Sequence, residues 1–188
     1  MNDPGNKPDT YFAPPARSSK EELESEIKMI SDNPVINGLM NLVSGFFAVL
    51  NVHRQVIIVN DNYLKFLGIS NIAQIIGLRP GETVSCVHAD EMEGGCGTSE
   101  SCPTCGAAVA IMTCLRQGTS QEMLCAITTE KNKEKDDLYL RVRAHPLELN
   151  DTKMVMLFLQ DITHQQKLEY LEKVFFHDVS NIVTGLMA

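Results

Sequence analysis

The sequence contains no tryptophan and no uninterrupted apolar run of the length that a membrane-spanning helix needs. It also lacks a block of Lys and Arg, and 24 acidic side chains against 16 basic ones give a formal net charge of −8. An acidic chain without a basic patch disfavours nucleic acid and anionic membranes as partners. The N-terminus has neither the charged region nor the apolar region of a secretory signal. We therefore expect a cytoplasmic chain whose partners are proteins or small molecules.

The apolar fraction of 44% over 188 residues is enough for one domain with a real core. Residues 1–18 are rich in Pro, Asn and Asp and have no periodicity, which predicts a disordered tail. Residues 19–44 predict a helical lead-in, because Ser19 and Glu22 form a capping box and Pro34 suits the first turn of a second short helix. Apolar residues recur at helical spacing along both pieces, so we expect this lead-in to pack on a partner.

Four of the six cysteines lie in one glycine-rich segment, and they are Cys86, Cys96, Cys102 and Cys105. If the four thiolates converge on one point, they can bind an iron–sulfur cluster or Zn²⁺, and the spacing does not choose between the two. His88 is an alternative ligand. The other interpretations are reduced, unligated thiols, a local disulfide and a thiol–disulfide switch. A reducing compartment disfavours structural disulfides and so favours a bound metal. Cys114 and Cys125 lie in apolar runs and are expected to be small buried side chains.

From residue 46 onward, short β-rich runs and helical runs follow one another. The predicted strands are residues 46–50, 56–59, 122–128, 138–146 and 154–159. The predicted helices are a short one ending at Gly68, residues 72–76 and residues 107–115. The polar run 129–137 predicts a hairpin loop, and Asn150-Asp151 predicts a tight turn. Two strands, a helical excursion and three strands predict an α+β domain built on one sheet.

This order resembles the PAS domain family, together with residues 46–68 and the closing Phe158-Leu159-Gln160-Asp161-Ile162-Thr163. The resemblance implies a five-stranded antiparallel sheet with short helices over residues 45–163, flanked by the N-terminal amphipathic helix and a long C-terminal signalling helix. In PAS domains the inner face of the sheet often holds a ligand. Here the cysteine-rich insert 86–105 replaces the usual middle helices, so the familiar haem and flavin positions cannot be placed. Some PAS sensors of oxygen or redox state carry four-cysteine iron–sulfur clusters.

Residues 164–188 predict the start of a dimerisation helix, because apolar residues recur at intervals of three and four. These residues are Leu168, Leu171, Phe175, Val179, Ile182 and Leu186. His177 lies away from this apolar stripe. The stretch FHDVSN around it resembles the phosphoacceptor box of sensor histidine kinases, although the common proline after the box is absent. The resemblance implies that His177 accepts phosphate, that Asp178 takes its proton and that Asn181 orients a water or a partner group.

The sequence thus predicts a cytoplasmic PAS module of a two-component histidine kinase that senses redox state or oxygen through a four-cysteine metal centre. The expected partners are a second copy, bound through the N- and C-terminal helices, a kinase ATP-binding domain and a response regulator. Because no ATP-binding domain follows the box within the 188 residues, we expect the chain to be inactive alone. The alternative hypothesis is a constitutive dimerisation or interaction module with a structural zinc site.

Overall fold

The computed structural model describes residues 9–131 and 133–186. The strands are β1 Phe46–Asn51, β2 Val56–Val59, β3 Gln121–Lys131, β4 Glu134–Leu149 and β5 Thr152–Asp161. The helices are α1 Lys20–Ser31, α2 Pro34–Leu42, α3 Asp61–Leu67, α4 Pro80–Thr83, α5 Gly106–Gln117 and α6 Thr163–Leu186. The strands form one antiparallel sheet in the order β2-β1-β5-β4-β3. The predicted α+β class with one five-stranded antiparallel sheet is confirmed.

Local signals set the ends of the helices. Ser19 and Glu22 form both hydrogen bonds of the capping box at the start of α1. At the start of α2, the Asn33 side chain accepts hydrogen bonds from the amides of Val35 and Ile36. Helix α3 ends at Gly68, which has the left-handed φ of 73° that favours glycine. These starts and ends agree with the sequence predictions.

The hairpin between β3 and β4 is tighter than the sequence predicts. The polar run predicts a loop over residues 129–137, but β3 and β4 stay paired as far as Lys131 and Glu134. Polar side chains do not end these strands, because the outer part of the hairpin is exposed and an exposed antiparallel pair tolerates them. The turn at Asn150 and Asp151 matches its prediction, with φ values of 49° and 60°.

Helices α3 and α5 cover one face of the sheet. Leu50, Val142 and Leu157 are fully buried on three neighbouring strands. Tyr63 of α3 and Ile111 of α5 belong to the same apolar cluster and are also buried. Burial of large apolar side chains is the main favourable term in the stability of such a layer. This inner face leaves a cavity at its edge, described below.

The opposite face of the sheet is covered by α1 and α2. Ile30 and Ile36 are buried there in one cluster with Phe47, Val49 and Ile57. The sequence predicts a partner for the apolar faces of these two helices, and for this cluster the prediction is wrong because the partner is the chain's own sheet. Periodicity shows that a helix has an apolar face, but it does not show which surface covers that face.

Residues 9–18 form an ordered strap over the cysteine insert, which corrects the predicted disordered tail for these residues. The amides of Tyr11 and Ala13 donate hydrogen bonds to the carbonyls of Thr98 and Gly97, each at 2.9 Å. Ala13 is fully buried. A polar, proline-rich segment has little apolar surface of its own, but here its backbone is held by the insert. Residues 1–8 of the predicted tail lie outside the described residues.

Helix α6 continues from β5 after a single residue, as the predicted signalling helix requires. The Asp161 side chain accepts a hydrogen bond from the amide of Thr163 at 2.8 Å. His177 is exposed on α6, and the side chains of Asp178 and Asn181 lie outside the part that the structure describes. None of the helices in residues 9–131 and 133–186 combines the length and the hydropathy that a bilayer crossing requires.

Candidate cysteine-lined site

A cavity of about 390 Å³ lies between the inner face of the sheet, α5 and the cysteine insert. The four cysteines of the insert all line it, and they are Cys86, Cys96, Cys102 and Cys105. All four are free thiols. The volume falls in the range of small-molecule and cofactor sites, roughly 300–1,000 Å³. The structure therefore brings the four sequence-predicted ligands to one cavity.

Helix α4 positions the first two cysteines. The amide of Cys86 donates a hydrogen bond to the carbonyl of Gly81 at 2.9 Å. The amide of Cys96 donates to Oε1 of Glu82 at 3.0 Å. A Cβ atom on Gly81 would lie 2.7 Å from Sγ of Cys96 and 3.5 Å from Cβ of Cys86. The glycine at position 81 thus allows both cysteines to approach the same turn.

The other two cysteines lie just before α5. Cys102 begins a 3₁₀ turn, Cys102–Thr104, and is buried. Its Sγ lies 3.2 Å from Oγ of Ser99. Cys105 is the residue immediately before α5, where the free amides and the dipole of the helix favour negative charge. This position suits a thiolate.

The environments of the thiols favour different protonation states. The adjacent Cys125 thiol, with a smaller contribution from the amide of Ala108, lowers the pKa of Cys105 to about 6. The same contact, together with burial, raises the pKa of Cys125. Burial raises the pKa of Cys96 to about 12 and also raises the pKa of Cys86. The surroundings of Cys105 therefore favour its thiolate, whereas the burial of Cys96 favours the protonated thiol.

Cys125 on β3 is a fifth thiol of the cavity, and the sequence does not indicate this. Its Sγ lies 3.7 Å from Sγ of Cys105. It is buried, as its apolar run predicts, but the run does not show what it faces. The alternation of β3 places Cys125 on the same face as Ile127, which packs against the inner core. That alternation identifies the face, while the contact with Cys105 depends on how α5 packs on β3.

Two buried arginines also line the cavity, and the sequence analysis does not single them out. Arg79 is fully buried and donates hydrogen bonds to backbone carbonyls of the insert and the strap, including those of Gly94 and Ala16. Arg54, on the turn between β1 and β2, is 3% exposed. A negative charge on Cys96 would interact favourably with both guanidinium groups. The cavity thus combines five thiols with two buried positive charges.

His88, the alternative ligand, lies at the rim of the cavity. Its Nδ1 is 2.7 Å from Oε1 of Glu91. The side chains of His88 and Glu91 are 39% and 46% exposed, unlike the buried thiol of Cys102. The carboxylate orients the imidazole ring, as it does for many metal-binding histidines. His88 therefore lies beside the four cysteines and is more exposed than Cys102.

Zinc and an iron–sulfur cluster make different demands on the spacing of four thiolates. Within residues 9–131 and 133–186, no group of three or more His, Cys, Asp or Glu side chains is close enough together to hold a single ion. Four thiolates on one Zn²⁺ at 2.3 Å would have to lie within about 4 Å of one another. An iron–sulfur cluster contains several iron and sulfide ions and needs its thiolates around a larger space. The four thiols line one cavity, and all-thiolate ligation suits both kinds of centre.

No family model and no curated protein matches the chain. Solved structures with a similar fold include a domain of an HTR-like protein from Haloarcula marismortui ATCC 43049. That domain is 14% identical to this chain with a TM-score of 0.43, and the match covers 63% of this chain and 97% of that one. A PAS domain from a two-component sensor histidine kinase is 13% identical with a TM-score of 0.44, over 76% of this chain and 99% of that one. The PAS domain of nitrogen regulation protein NR(II) from Vibrio parahaemolyticus is 13% identical with a TM-score of 0.48, over 69% of this chain and 100% of that one. At these identities and TM-scores the likeness concerns the general fold and does not determine the function.

Proposed function

We propose that this chain is the sensory PAS-like module of a two-component histidine kinase and that it responds to redox state or oxygen through an iron–sulfur cluster. The proposed ligands are Cys86, Cys96, Cys102 and Cys105. The observation that carries the proposal is that these thiols line one cavity beside two buried arginines. Buried positive charge favours the anionic tetrathiolate form of the site over neutral thiols.

The residues of the cavity prepare it for such a ligand. A bound iron–sulfur cluster supplies one-electron chemistry at a potential set by the charge, hydrogen bonds and exposure of its site. Cys105 offers a thiolate, because its pKa is lowered to about 6 by Cys125. Cys96, whose pKa burial raises to about 12, must lose a proton on binding. Loading therefore releases protons and should weaken as the pH falls.

A packed route leads from the cavity to α6 and supports a signalling role. Cys105 directly precedes α5, and α5 packs on β3, β4 and β5. Strand β5 ends at Asp161, which caps the start of α6. The amide of Ile162 also donates a hydrogen bond to the carbonyl of Tyr139 on β4, at 2.9 Å. A change in the cysteine insert can therefore displace α5 and the base of α6 together.

The output proposal concerns α6. By its resemblance to the phosphoacceptor box, His177 accepts phosphate from the ATP-binding domain of a kinase and passes it to a response regulator, with Asp178 and Asn181 in supporting roles. An exposed apolar stripe on α6 supports pairing with a second copy, since Leu168, Leu171 and Phe175 are 48%, 61% and 64% exposed. Val35 and Leu42 of α2 are also exposed and can extend that contact.

The first experiment is the purification of the chain without oxygen, followed by an absorption spectrum and by iron, sulfide and zinc analysis. We expect a brown protein that contains iron and labile sulfide and bleaches in air. Cys102→Ser and Cys105→Ser should lose the colour. Cys114→Ala is the matched control, because Cys114 is buried on α5 but does not line the cavity. If the unmutated protein is colourless and contains zinc, the constitutive interaction module is supported instead.

The second experiment measures output with an ATP-binding domain present. His177→Gln should abolish phosphorylation of the chain, and Cys102→Ser should make the level of phosphorylation insensitive to oxygen. Kinase output that responds to oxygen equally in the cysteine variant and the parent would contradict the sensing role. Phosphate that remains on the chain in the His177 variant would contradict the assignment of the box.

A further inference from the structure

Arg54 is a buried cation with an unsatisfied donor. It lies in the turn between β1 and β2 with a left-handed φ of 66° and is 3% exposed. Its Nη2 donates a hydrogen bond to the carbonyl of Pro14 in the strap at 2.9 Å, and its Nη1 lies 3.8 Å from Sδ of Met112. Its Nε is buried and has no hydrogen-bond partner among the described residues. Among the described residues, no other buried side-chain nitrogen or oxygen atom lacks a hydrogen-bond partner.

The backbone of the cysteine insert lies close to the guanidinium group of Arg54. Gly97, the residue after Cys96, has a φ of 97°, which favours glycine. A Cβ atom at position 97 would lie 3.1 Å from Nε of Arg54 and 3.2 Å from its Nη2. The backbone next to Cys96 therefore lies against Arg54 with no room for a side chain. Arg54 and Cys96 line the same cavity, together with Cys102.

Burial without an anionic partner is unfavourable for such a group. A guanidinium stays protonated at physiological pH, so burial removes water from a group that keeps its positive charge. Arg79 lines the same cavity and adds to the repulsion instead of relieving it. Glu82, the carboxylate whose charge acts on Arg54, is already paired with Arg17. The cavity that Arg54 lines is therefore a place where an anionic group can satisfy it.

We propose that Arg54 donates its Nε–H to an anionic sulfur atom of the centre held by the cysteines, and that its charge raises the redox potential of that centre and slows the loss of iron. The inference rests on the proposed iron–sulfur function. A nearby positive charge stabilises the more negative, reduced state relative to the oxidised one. It also stabilises the thiolate ligands relative to their protonated, released forms. Arg54 is thus a positioning and charge-compensating residue that acts through the cysteine ligands.

The test compares the parent protein, purified without oxygen, with Arg54→Met and Arg54→Lys. Arg54→Met should fold and take up iron but should have a lower midpoint potential. It should also lose iron to a ferrous chelator about tenfold faster, as expected for a lost charge-assisted hydrogen bond. Arg54→Lys should keep the potential close to that of the parent. If Arg54→Met does not fold, as judged by circular dichroism, Arg54→Gln is the second neutral variant, since its amide can still donate to the strap.

Arg143→Met is the matched control. Arg143 pairs with Glu122 on the exposed side of the β3–β4 pair, so its loss removes an arginine and an ion pair without changing a residue that lines the cavity. We expect its potential to equal that of the parent. A neutral Arg54 variant with the parent's potential and rate of iron loss would overturn this inference and leave the proposed function intact. A parent protein that binds no iron would overturn both.

Discussion

Gly106→Ala tests how α5 is joined to the sheet at the cysteine site. Gly106 is the first residue of α5 and directly follows Cys105. A Cβ atom there would lie 2.0 Å from the carbonyl oxygen of Leu124 and 3.3 Å from Cα of Cys125. Both contacts are with backbone, so no side-chain rotation can relieve them. The start of α5 would have to move away from β3, and the Cys105 thiol would move away from Cys125 with it.

The magnitude follows from this geometry. Overpacking in a close-packed interior costs about 1–3 kcal/mol, and a clash with strand backbone, which no side chain can relieve, belongs at the upper end of that range. For a chain of this size, about 3 kcal/mol corresponds to a fall in Tm of roughly 6–12 °C. Gly38→Ala is the opposite control, because nothing lies within 4 Å of the Cβ position and Gly38 is inside α2. It should stabilise the protein by about 0.5–1 kcal/mol.

Thermal and urea unfolding of the two variants and the parent give the comparison. We expect Gly106→Ala to unfold well below the parent and Gly38→Ala slightly above it. The lost Cys105–Cys125 contact should also reduce the fraction of thiolate at neutral pH, measured by the ultraviolet absorbance of thiolates. If Gly106→Ala is as stable as the parent, α5 does not approach β3 as described. The proposed transmission of a change from the cysteines through α5 to the sheet would then be contradicted.

Three further predictions concern other parts of the fold. Burial raises the pKa of Tyr63 from 10.0 to about 12, so the unfolded chain ionises first and stability is lost as the pH rises from about 10 to about 12. The loss should reach about 3 kcal/mol, and Tyr63→Phe should remove that component of the pH dependence in urea titrations. Leu157→Ala, at a fully buried position of β5, should cost about 2–5 kcal/mol in the same assay, and a cost below about 1 kcal/mol would contradict its place in the core. Arg79→Met should release the strap, seen as faster hydrogen exchange at the amides of Tyr11 and Ala13, whereas unchanged exchange there would show that Arg79 does not hold it.

Several elements follow from local chemistry and were predictable for that reason. The capping box at Ser19 satisfies amides within one helical turn, and the left-handed residue at Gly68 ends α3 without help from the rest of the chain. Asn150 and Asp151 tolerate the positive φ that a two-residue turn needs. The length of the β3–β4 hairpin was not predictable from composition, because exposed strand pairs accept polar residues.

By itself, the sequence determined the order of strands and helices and the identity of the four clustered cysteines, since period, capping and turn chemistry act over a few residues. The surroundings of those cysteines depend on how distant parts of the chain pack together. Cys125 reaches Cys105 through the packing of α5 on β3, and Arg54 reaches the cavity from the turn between β1 and β2. The strap at residues 9–18 lies over the insert through backbone hydrogen bonds, to which its side chains give no clue. Such contacts join residues far apart in the chain. A local pattern predicts that a side chain is buried, but it does not predict which residues the side chain contacts.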